Sequence, residues 1–307
     1  MVSISVIIPT YNPDAVRLGQ TLAALKNQTF PLNQWELIII DNNSSNSFAK
    51  ELDLSWHPAA KIVTEGKQGL TYARIKGFGV ARGEFIIMAD DDNILDKYYL
   101  QTVGRIFKDN PDLGSIGGKS IPRFESSPPE WLSPFYDSLA IRDLGDTCII
   151  NTWRNDYPAA APIGAGMAIR KNTLQAYISA HHASTNIVTD RTATSLSSGG
   201  DNEINLAILK SGWAVGYFPE LVLEHIIPAE RMTIAYMAKL VFSINRSWAM
   251  LLTKHKISPW GKVNKSTLPF RKIKSYLSNK AWRGESNYLR WKATCGIFEG
   301  LAEGSDS

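Results

Sequence analysis

Three short runs of this 307-residue chain are almost continuously apolar: residues 3–9 (S-I-S-V-I-I-P), Trp35–Asp41 (W-E-L-I-I-I-D) and 84–90 (E-F-I-I-M-A-D). Runs of this length, rich in β-branched residues, predict strands of a parallel sheet covered on both faces. The stretches between them, 14–28 and 71–81, read as helices. A β-α-β-α-β order predicts a doubly wound α/β sheet that holds ligands at the carboxyl ends of its strands. Each of the three strand ends is polar: Thr10-Tyr11-Asn12, Asp41-Asn42-Asn43-Ser44-Ser45 and Asp90-Asp91-Asp92. Their shared location makes them one candidate site.

Further along, the pattern changes. Residues 121–134 (I-P-R-F-E-S-S-P-P-E-W-L-S-P) hold too many prolines for a regular helix and present Phe124 and Trp131. Segment 159–170 is built of small residues where backbone must approach closely, and 183–200 is rich in Ser, Thr and Gly, the composition of a mobile loop. Ile234, Met237, Val241, Ile244, Trp248 and Leu251 then repeat at helical spacing, with Lys239, Ser243 and Arg246 opposite. This stripe predicts an amphipathic helix.

Composition adds that the chain is globular, with 44% apolar residues, and long enough for one large α/β domain with an appendage. Cys148 and Cys295 lie far apart without metal-ligand spacing, so neither a disulfide framework nor a zinc site is expected. The start, M-V-S-I-S-V-I-I-P, has no basic leader and is broken by Pro9, so the expectation is a cytoplasmic chain without a signal peptide.

Charge is distributed unevenly. The formal net charge is +4, yet residues 231–292 carry 14 Lys and Arg against one acid, Glu285, while 1–230 carry 19 basic and 25 acidic groups. Basic surfaces attract nucleic acid, acidic partners or anionic lipid. No nucleic-acid-binding motif accompanies the charge, which excludes nucleic acid as the expected partner. Packing against the protein body accounts for the amphipathic stripe alone. The basic, aromatic-containing segment after it favours an anionic membrane surface. With no span of ~20 apolar residues, the region would lie on a bilayer rather than cross it.

The aspartate triplet is the sharpest chemical signal. Adjacent carboxylates repel, and a hard divalent cation held by one or two of them plus substrate phosphates relieves that repulsion. An acidic turn capping the next helix is the plainer alternative. On an extended chain Asp90 and Asp92 would share one side, with Asp91 opposite. Asp41 can accept hydrogen bonds from a base or ribose, and Gly66-x-x-Gly69 precedes a helix bearing Arg74 and Lys76, a place that favours anions. Asp201 opens another apparent helix. There a carboxylate can take a proton or serve as an N-cap, with Glu203 as the substitute base.

Together S-V-I-I-P-T-Y-N, I-I-I-D-N-N-S-S, G-L-T-Y-A-R-I-K-G, F-I-I-M-A-D-D-D-N, G-A-G-M-A-I-R-K and S-G-G-D-N-E-I-N-L-A-I-L-K-S-G-W resemble the family-two inverting glycosyltransferases of GT-A fold, of the bacterial polysaccharide-biosynthesis type. The resemblance runs in order over residues 3–235. It implies a Rossmann-like, mainly parallel twisted sheet flanked by helices that binds a nucleoside diphosphate sugar, with Mn²⁺ or Mg²⁺ on the diphosphate. By motif position, Thr10 and Asp41 would contact the nucleoside, Asp90 or Asp91 the ribose and sugar, and Arg74 the leaving group. Pro9, Tyr11, Asn12, Asn43 and Gly69 complete the candidate donor site. Asp92, Asp90 and His225 are the candidate metal ligands, since a histidine after this late strand often completes the site in such enzymes. Asp201 would be the catalytic base, although Gly200 replaces the acid that usually precedes it. Trp131, Gly164, Gly166 and Met167 would meet the acceptor, and loop 183–200 would order over bound donor.

The expected organisation is a glycosyltransferase domain over 1–230, with a nucleotide-sugar half (1–118) and an acceptor half (119–230). A basic, helical region over 231–307 follows, peripheral on the cytoplasmic face of the inner membrane. The expected reaction moves sugar from a nucleoside diphosphate donor, most simply a UDP sugar, to a saccharide or polyprenyl-linked acceptor. A sugar nucleotidyltransferase would need a glycine-rich, basic triphosphate loop after the first strand, and P-T-Y-N-P-D is not one. A non-catalytic nucleotide-sugar-binding protein would leave the position of Asp201 arbitrary.

Overall fold

The computed structural model describes residues 2–183 and 199–304, so the expected loop 183–200 lies almost wholly outside the described residues. Strands are β1 (Ile4–Thr10), β2 (Trp35–Asp41), β3 (Ala60–Thr64), β4 (Phe85–Met88), β5 (Asn93–Leu95), β6 (Leu113–Phe124), β7 (Ile149–Asn151), β8 (Ala168–Arg170) and β9 (Ala214–Ile227). Helices are α1 (Ala15–Lys26), α2 (Phe48–Glu51), α3 (Leu70–Val80), α4 (Tyr99–Asp109), α5 (Gln175–Ala183), α6 (Gly200–Lys210), α7 (Ile234–Lys254), α8 (Leu268–Ser278) and α9 (Glu285–Glu303).

The described strands form one sheet in the order β3-β2-β1-β4-β8-β6-β9-β5, with β7 also on β9. Pairing is parallel from β3 through β2 and β1 to β4. Beyond β4 it turns antiparallel, as in β4–β8, β6–β8, β5–β9 and β7–β9. The sheet is therefore mixed rather than mainly parallel. Apolar runs reveal a strand but not its partner, and the strands of the second half are too short or too interrupted to show their direction.

Alternation within each apolar run divides the core in two. Ile4, Val6, Ile8, Leu37, Ile39, Phe85 and Ile87 face Leu18, Leu22, Leu25, Val103 and Phe107 of α1 and α4. Ile7, Ile38, Ile40, Ile86 and Met88 face Ala73, Phe78, Ile204 and Ile208 of α3 and α6. Both faces of the strands are thus buried, as their near-continuous apolar sequence requires. At about 1.5–3 kcal/mol for each large aliphatic side chain, this burial is the main force holding the strand ends in place.

By density of contacts the described residues form two compact units. One comprises 2–123, 140–183 and 200–226, and the other 124–139 and 227–304. Segment 124–139, placed by sequence in the acceptor half, thus groups with the C-terminal helices. It forms 3-10 turns over Glu130–Leu139 with Pro134 inside, and Phe124 packs on Tyr136 at 5.6 Å.

In the C-terminal unit the expected amphipathic helix is α7, but its buried residues, Met237, Ala238, Leu240, Val241, Ser247, Ala249, Leu251 and Leu252, spread over both sides of the helix. Ile244 and Trp248 of the expected stripe are only half-buried. Arg246, expected on a solvated face, pairs with Glu303 of α9 through Nε at 3.0 Å. The cause is glycine spacing on α9: a Cβ on Gly296 would lie 2.2 Å from the Phe242 carbonyl oxygen, and one on Gly300 2.3 Å from that of Arg246. Only glycine lets two helix backbones approach so closely. Among the described residues no helix is long and apolar enough to cross a membrane.

Candidate active site

Parallel register brings the first two polar strand ends side by side, Thr10 opposite Asp41. Pro9 and Thr10 are buried, while Tyr11 is 40% exposed and Asn12 begins the loop with φ +46°. Left-handed backbone is tolerable for asparagine, and here it directs the side chain at the neighbouring loop. Asn12 Oδ1 accepts from the Ser45 and Asn46 amides at 2.8 and 3.3 Å, and the Asn12 amide donates to Ser44 Oγ at 2.9 Å. Asp41 Oδ1 accepts from the Ser44 amide three residues on at 2.9 Å, which bends the chain after β2, with Asn43 at φ +62°.

Asn42, in the sequence one polar residue of the second strand end, clamps the entrance of α3. Its buried amide donates to the carbonyls of Glu65 and Lys67 at 3.2 and 2.8 Å, and its Oδ1 accepts from the Gly69 amide at 2.7 Å. Gly69 sits at φ +136°, a backbone setting that other residues rarely adopt, and starts α3.

The aspartate triplet is not extended. β4 ends at Met88, and the chain turns: the Asn93 amide donates to the Asp90 carbonyl at 3.2 Å while Asn93 Oδ1 accepts from the Asp90 amide at 3.0 Å. The expected alternation of Asp90 and Asp92 against Asp91 is replaced by this turn, whose closing residue, Asn93, is fully buried. Asp91 Oδ2 accepts a hydrogen bond from Thr10 Oγ1, which ties the first and third strand ends together.

Asp92, 4% exposed, meets His225. Antiparallel β5–β9 register sets Asn93 opposite His225, and the Ile226 amide donates to the Asp92 carbonyl at 2.9 Å. This places His225 Nε2 3.3 Å from Asp92 Oδ1, which also accepts from Asn93 Nδ2 at 3.0 Å. Nδ1 of His225 is buried without a hydrogen-bond partner among the described residues. Asp92 Oδ1 and His225 Nε2 are the two side-chain atoms here that would hold a divalent cation, one carboxylate and one imidazole ligand. Among the described residues no cluster of three or more His, Cys, Asp or Glu is arranged to hold a metal by itself.

Asp201 joins a third group. At the start of α6 its Oδ2 accepts from the Gly164 amide at 2.8 Å and its Oδ1 from the Asn202 amide at 3.0 Å. Arg74, 5% exposed on α3, reaches the same spot: a Cβ on Gly164 would lie 2.9 Å from Arg74 Nη2 and 3.5 Å from Asp201 Oδ2. A side chain at 164 would therefore press on the Arg74 guanidinium beside the Asp201 carboxylate. Glu203 is half-buried two positions on, and at about 100° per residue it leaves the helix on a different side from Asp201.

Below Asp201 runs a network that sequence reading missed. Tyr157 donates to Asn202 Oδ1 at 2.6 Å, and Asn205 Nδ2 donates to the Tyr157 hydroxyl and the Pro162 carbonyl at 3.1 and 2.8 Å. Ser115 Oγ donates to Asn205 Oδ1 at 2.8 Å. Burial first, and then the charge of Asp201, push the Tyr157 hydroxyl pKa upward, so Tyr157 stays a donor. The available signal was Asn205 itself, a fully buried amide among the apolar residues of α6.

Of the expected acceptor residues, Gly164 lies at Asp201. Gly166, at φ +73°, is closed in, since a Cβ there would meet Leu223 at 2.4 Å and Tyr99 Oη at 2.7 Å. The Met167 side chain is fully buried with Ile7 and Ile40, which corrects its assignment to core packing. Trp131 belongs to the C-terminal unit, where it is half-buried and its carbonyl accepts from Ser286 Oγ at 3.2 Å.

Residues 5–155 match the sequence model of the family described as Glycosyl transferase family 2. That stretch belongs to glycosyl transferase family 2. Thr10, Asp41, Arg74 and the aspartate triplet fall inside the family 2 match, while Asp201 and His225 follow it. Among curated proteins, the glucosyl-dolichyl phosphate glucuronosyltransferase of Haloferax volcanii is 25% identical over 160 residues, 50% of this chain and 50% of that protein. The poly(ribitol-phosphate) beta-glucosyltransferase of Bacillus spizizenii is 26% identical over 48% of this chain and 24% of that protein. The chain thus spans half or less of these relatives. Among solved structures, S. aureus TarS 1-349 in complex with UDP-GlcNAc matches with a TM-score of 0.56 at 14% identity, over 99% of this chain and 92% of that one. The likeness establishes the GT-A fold.

Proposed function

We propose that this protein is an inverting glycosyltransferase that moves a sugar from a nucleoside diphosphate sugar, a UDP sugar first among them, to a saccharide or polyprenyl-linked acceptor. The observation that carries the reading is the convergence of Asp201, Arg74 and the Gly164 amide at the carboxyl side of a sheet whose three polar strand ends are hydrogen-bonded into one surface. The UDP and UDP-GlcNAc complexes of TarS, which has the same fold, support the choice of donor.

In this reading Thr10, Tyr11, Asn12, Asp41 and Asn43 line the nucleoside position, and Asp90 and Asp91 face the ribose and sugar. Asp92 and His225 would hold a divalent cation, Mn²⁺ or Mg²⁺, which supplies neutralisation of the charge growing on the departing diphosphate. Arg74 adds a buried positive charge for the same oxygens. Asp201 is held by two backbone amides yet keeps lone pairs for a third donor, so it can accept the acceptor hydroxyl's proton. The acceptor oxygen then bonds to the anomeric carbon from the side opposite the nucleotide, the bond from that carbon to the phosphate oxygen breaks, and configuration inverts. The basic C-terminal region, with 14 Lys and Arg against one acid in 231–292, supports a working position against an anionic membrane surface.

The test is to assay nucleotide release and sugar transfer with Mn²⁺ across a panel of UDP sugars and acceptors. Asp201→Asn should keep nucleotide binding and lower transfer about 10²-fold or more, the scale of a lost general base. Full transfer in Asp201→Asn with loss in Glu203→Gln would move the base to Glu203. Full transfer in both would remove the proposed acceptor chemistry.

A further inference from the structure

The helix that presents an apolar face to solvent is α8. Phe270, Ile273 and Leu277 are 76%, 61% and 57% exposed, and steps of three and four residues put them on one stripe. Single exposed apolar residues are ordinary, but a continuous row of large ones marks an interaction surface. The orientation of α8 is fixed from its inner side. Ser275 is buried, Lys272 pairs with Glu299 of α9, and Trp291 Nε1 donates to the Lys272 carbonyl at 3.0 Å. Trp282 extends the patch, 55% exposed with its ring 5.8 Å from that of Tyr276. Around it Arg271, Lys274, Lys280 and Arg283 are all exposed, and Glu285 is the only acid between 254 and 292.

We propose that α8 is an interfacial helix that lies in the plane of an anionic lipid bilayer, with Phe270, Ile273, Leu277 and Trp282 at the boundary of headgroups and acyl chains and the four basic side chains among the lipid phosphates. Apolar stripe, interfacial tryptophan and flanking cations are the combination such helices need. A second copy of this chain would set one cationic surface against another, and a nucleic acid offers nothing to an aliphatic stripe. The inference rests on the membrane-facing placement of the basic C-terminal region proposed above and assigns it, within that region, to α8.

The experiment sediments the full chain with vesicles of phosphatidylcholine alone or mixed with phosphatidylglycerol, at low and high salt, and measures UDP binding in the same preparations. Wild-type protein should pellet with the anionic vesicles and be released by salt. A Phe270→Ser, Ile273→Ser, Leu277→Ser variant and an Arg271→Glu, Lys274→Glu variant should each bind about tenfold less or weaker. Val16→Ser, which removes a 68% exposed apolar side chain of α1, should change nothing. All substituted side chains are exposed, and unchanged circular dichroism establishes folding. Equal binding to neutral and anionic vesicles, no binding by wild type, or binding indifferent to both α8 variants would overturn the proposal. So would a wild-type dimer that the serine variant makes monomeric. Wild-type protein that binds UDP but no anionic vesicles would sink the docking surface alone, whereas wild-type protein that binds vesicles but no UDP would sink the transferase reading alone.

Discussion

At the scale of single residues, the site is governed by pairs whose members come from distant sequence. Asp92 and His225 lie 3.3 Å apart because β5–β9 register puts them there. If they hold the cation, Asp92→Asn and His225→Gln should each weaken Mn²⁺-dependent nucleotide binding at least about tenfold and leave metal-free binding nearly unchanged, as measured by calorimetry. A second pairing lies outside the proposed site. Glu36, with a fully buried side chain, accepts from Ser5 Oγ at 2.8 Å and the Arg82 amide at 2.6 Å and meets Lys61 at 3.2 Å. Burial opposes its ionisation, but the Arg82 amide, Ser5, Lys61 and the charge of Lys61 outweigh that and hold its pKa below the ordinary 4.5. Its contribution is therefore complete above pH 4.5 and lost as pH falls through the lower folded value. Glu36→Gln should cost about 1–3 kcal/mol at neutral pH and flatten the fall in stability below pH 4.5, read from urea melts across pH.

At the scale of elements, the first half of the chain was legible because a continuous apolar run has one stable use. Strand Trp35–Asp41 was read to the residue, and α1 and α3 to within two residues at either end. What failed was the aspartate triplet, read as extended, because the buried side chain of Asn93 closes a turn that no periodicity announces. The face of α7 was misread for a related reason: amphipathicity shows which face is apolar and not what covers the other. Gly296 and Gly300 carried that information as a four-residue glycine spacing on α9. Gly300→Val should therefore separate α7 from α9 and lower stability by about 1–3 kcal/mol or more. Gly304→Ala, where a Cβ would lie 3.1 Å from a Thr253 methyl group, should cost less, and thermal melts of the two variants decide the comparison.

At the scale of the whole molecule, the meeting of the three polar strand ends was legible and the surroundings of Asp201 were not. Thr10, Asp41 and Asp90 to Asp92 stand at strand ends, where an α/β sheet must place its ligands, so strand positions alone predicted their neighbourhood. Gly164, Asn205 and Tyr157 meet through the packing of a loop against α6, and Met167, placed at the acceptor by the family resemblance alone, has its side chain in the core. The central claim is that these strand ends bind a nucleoside diphosphate with the help of a divalent cation. Its most direct test is the melting temperature with uridine, guanosine, adenosine and cytidine diphosphates, each with and without Mn²⁺. The account predicts the largest rise for UDP with Mn²⁺, equivalent to about 2.7 kcal/mol at a concentration about a hundred times Kd. No shift with any nucleoside diphosphate in the presence of Mn²⁺ would contradict it.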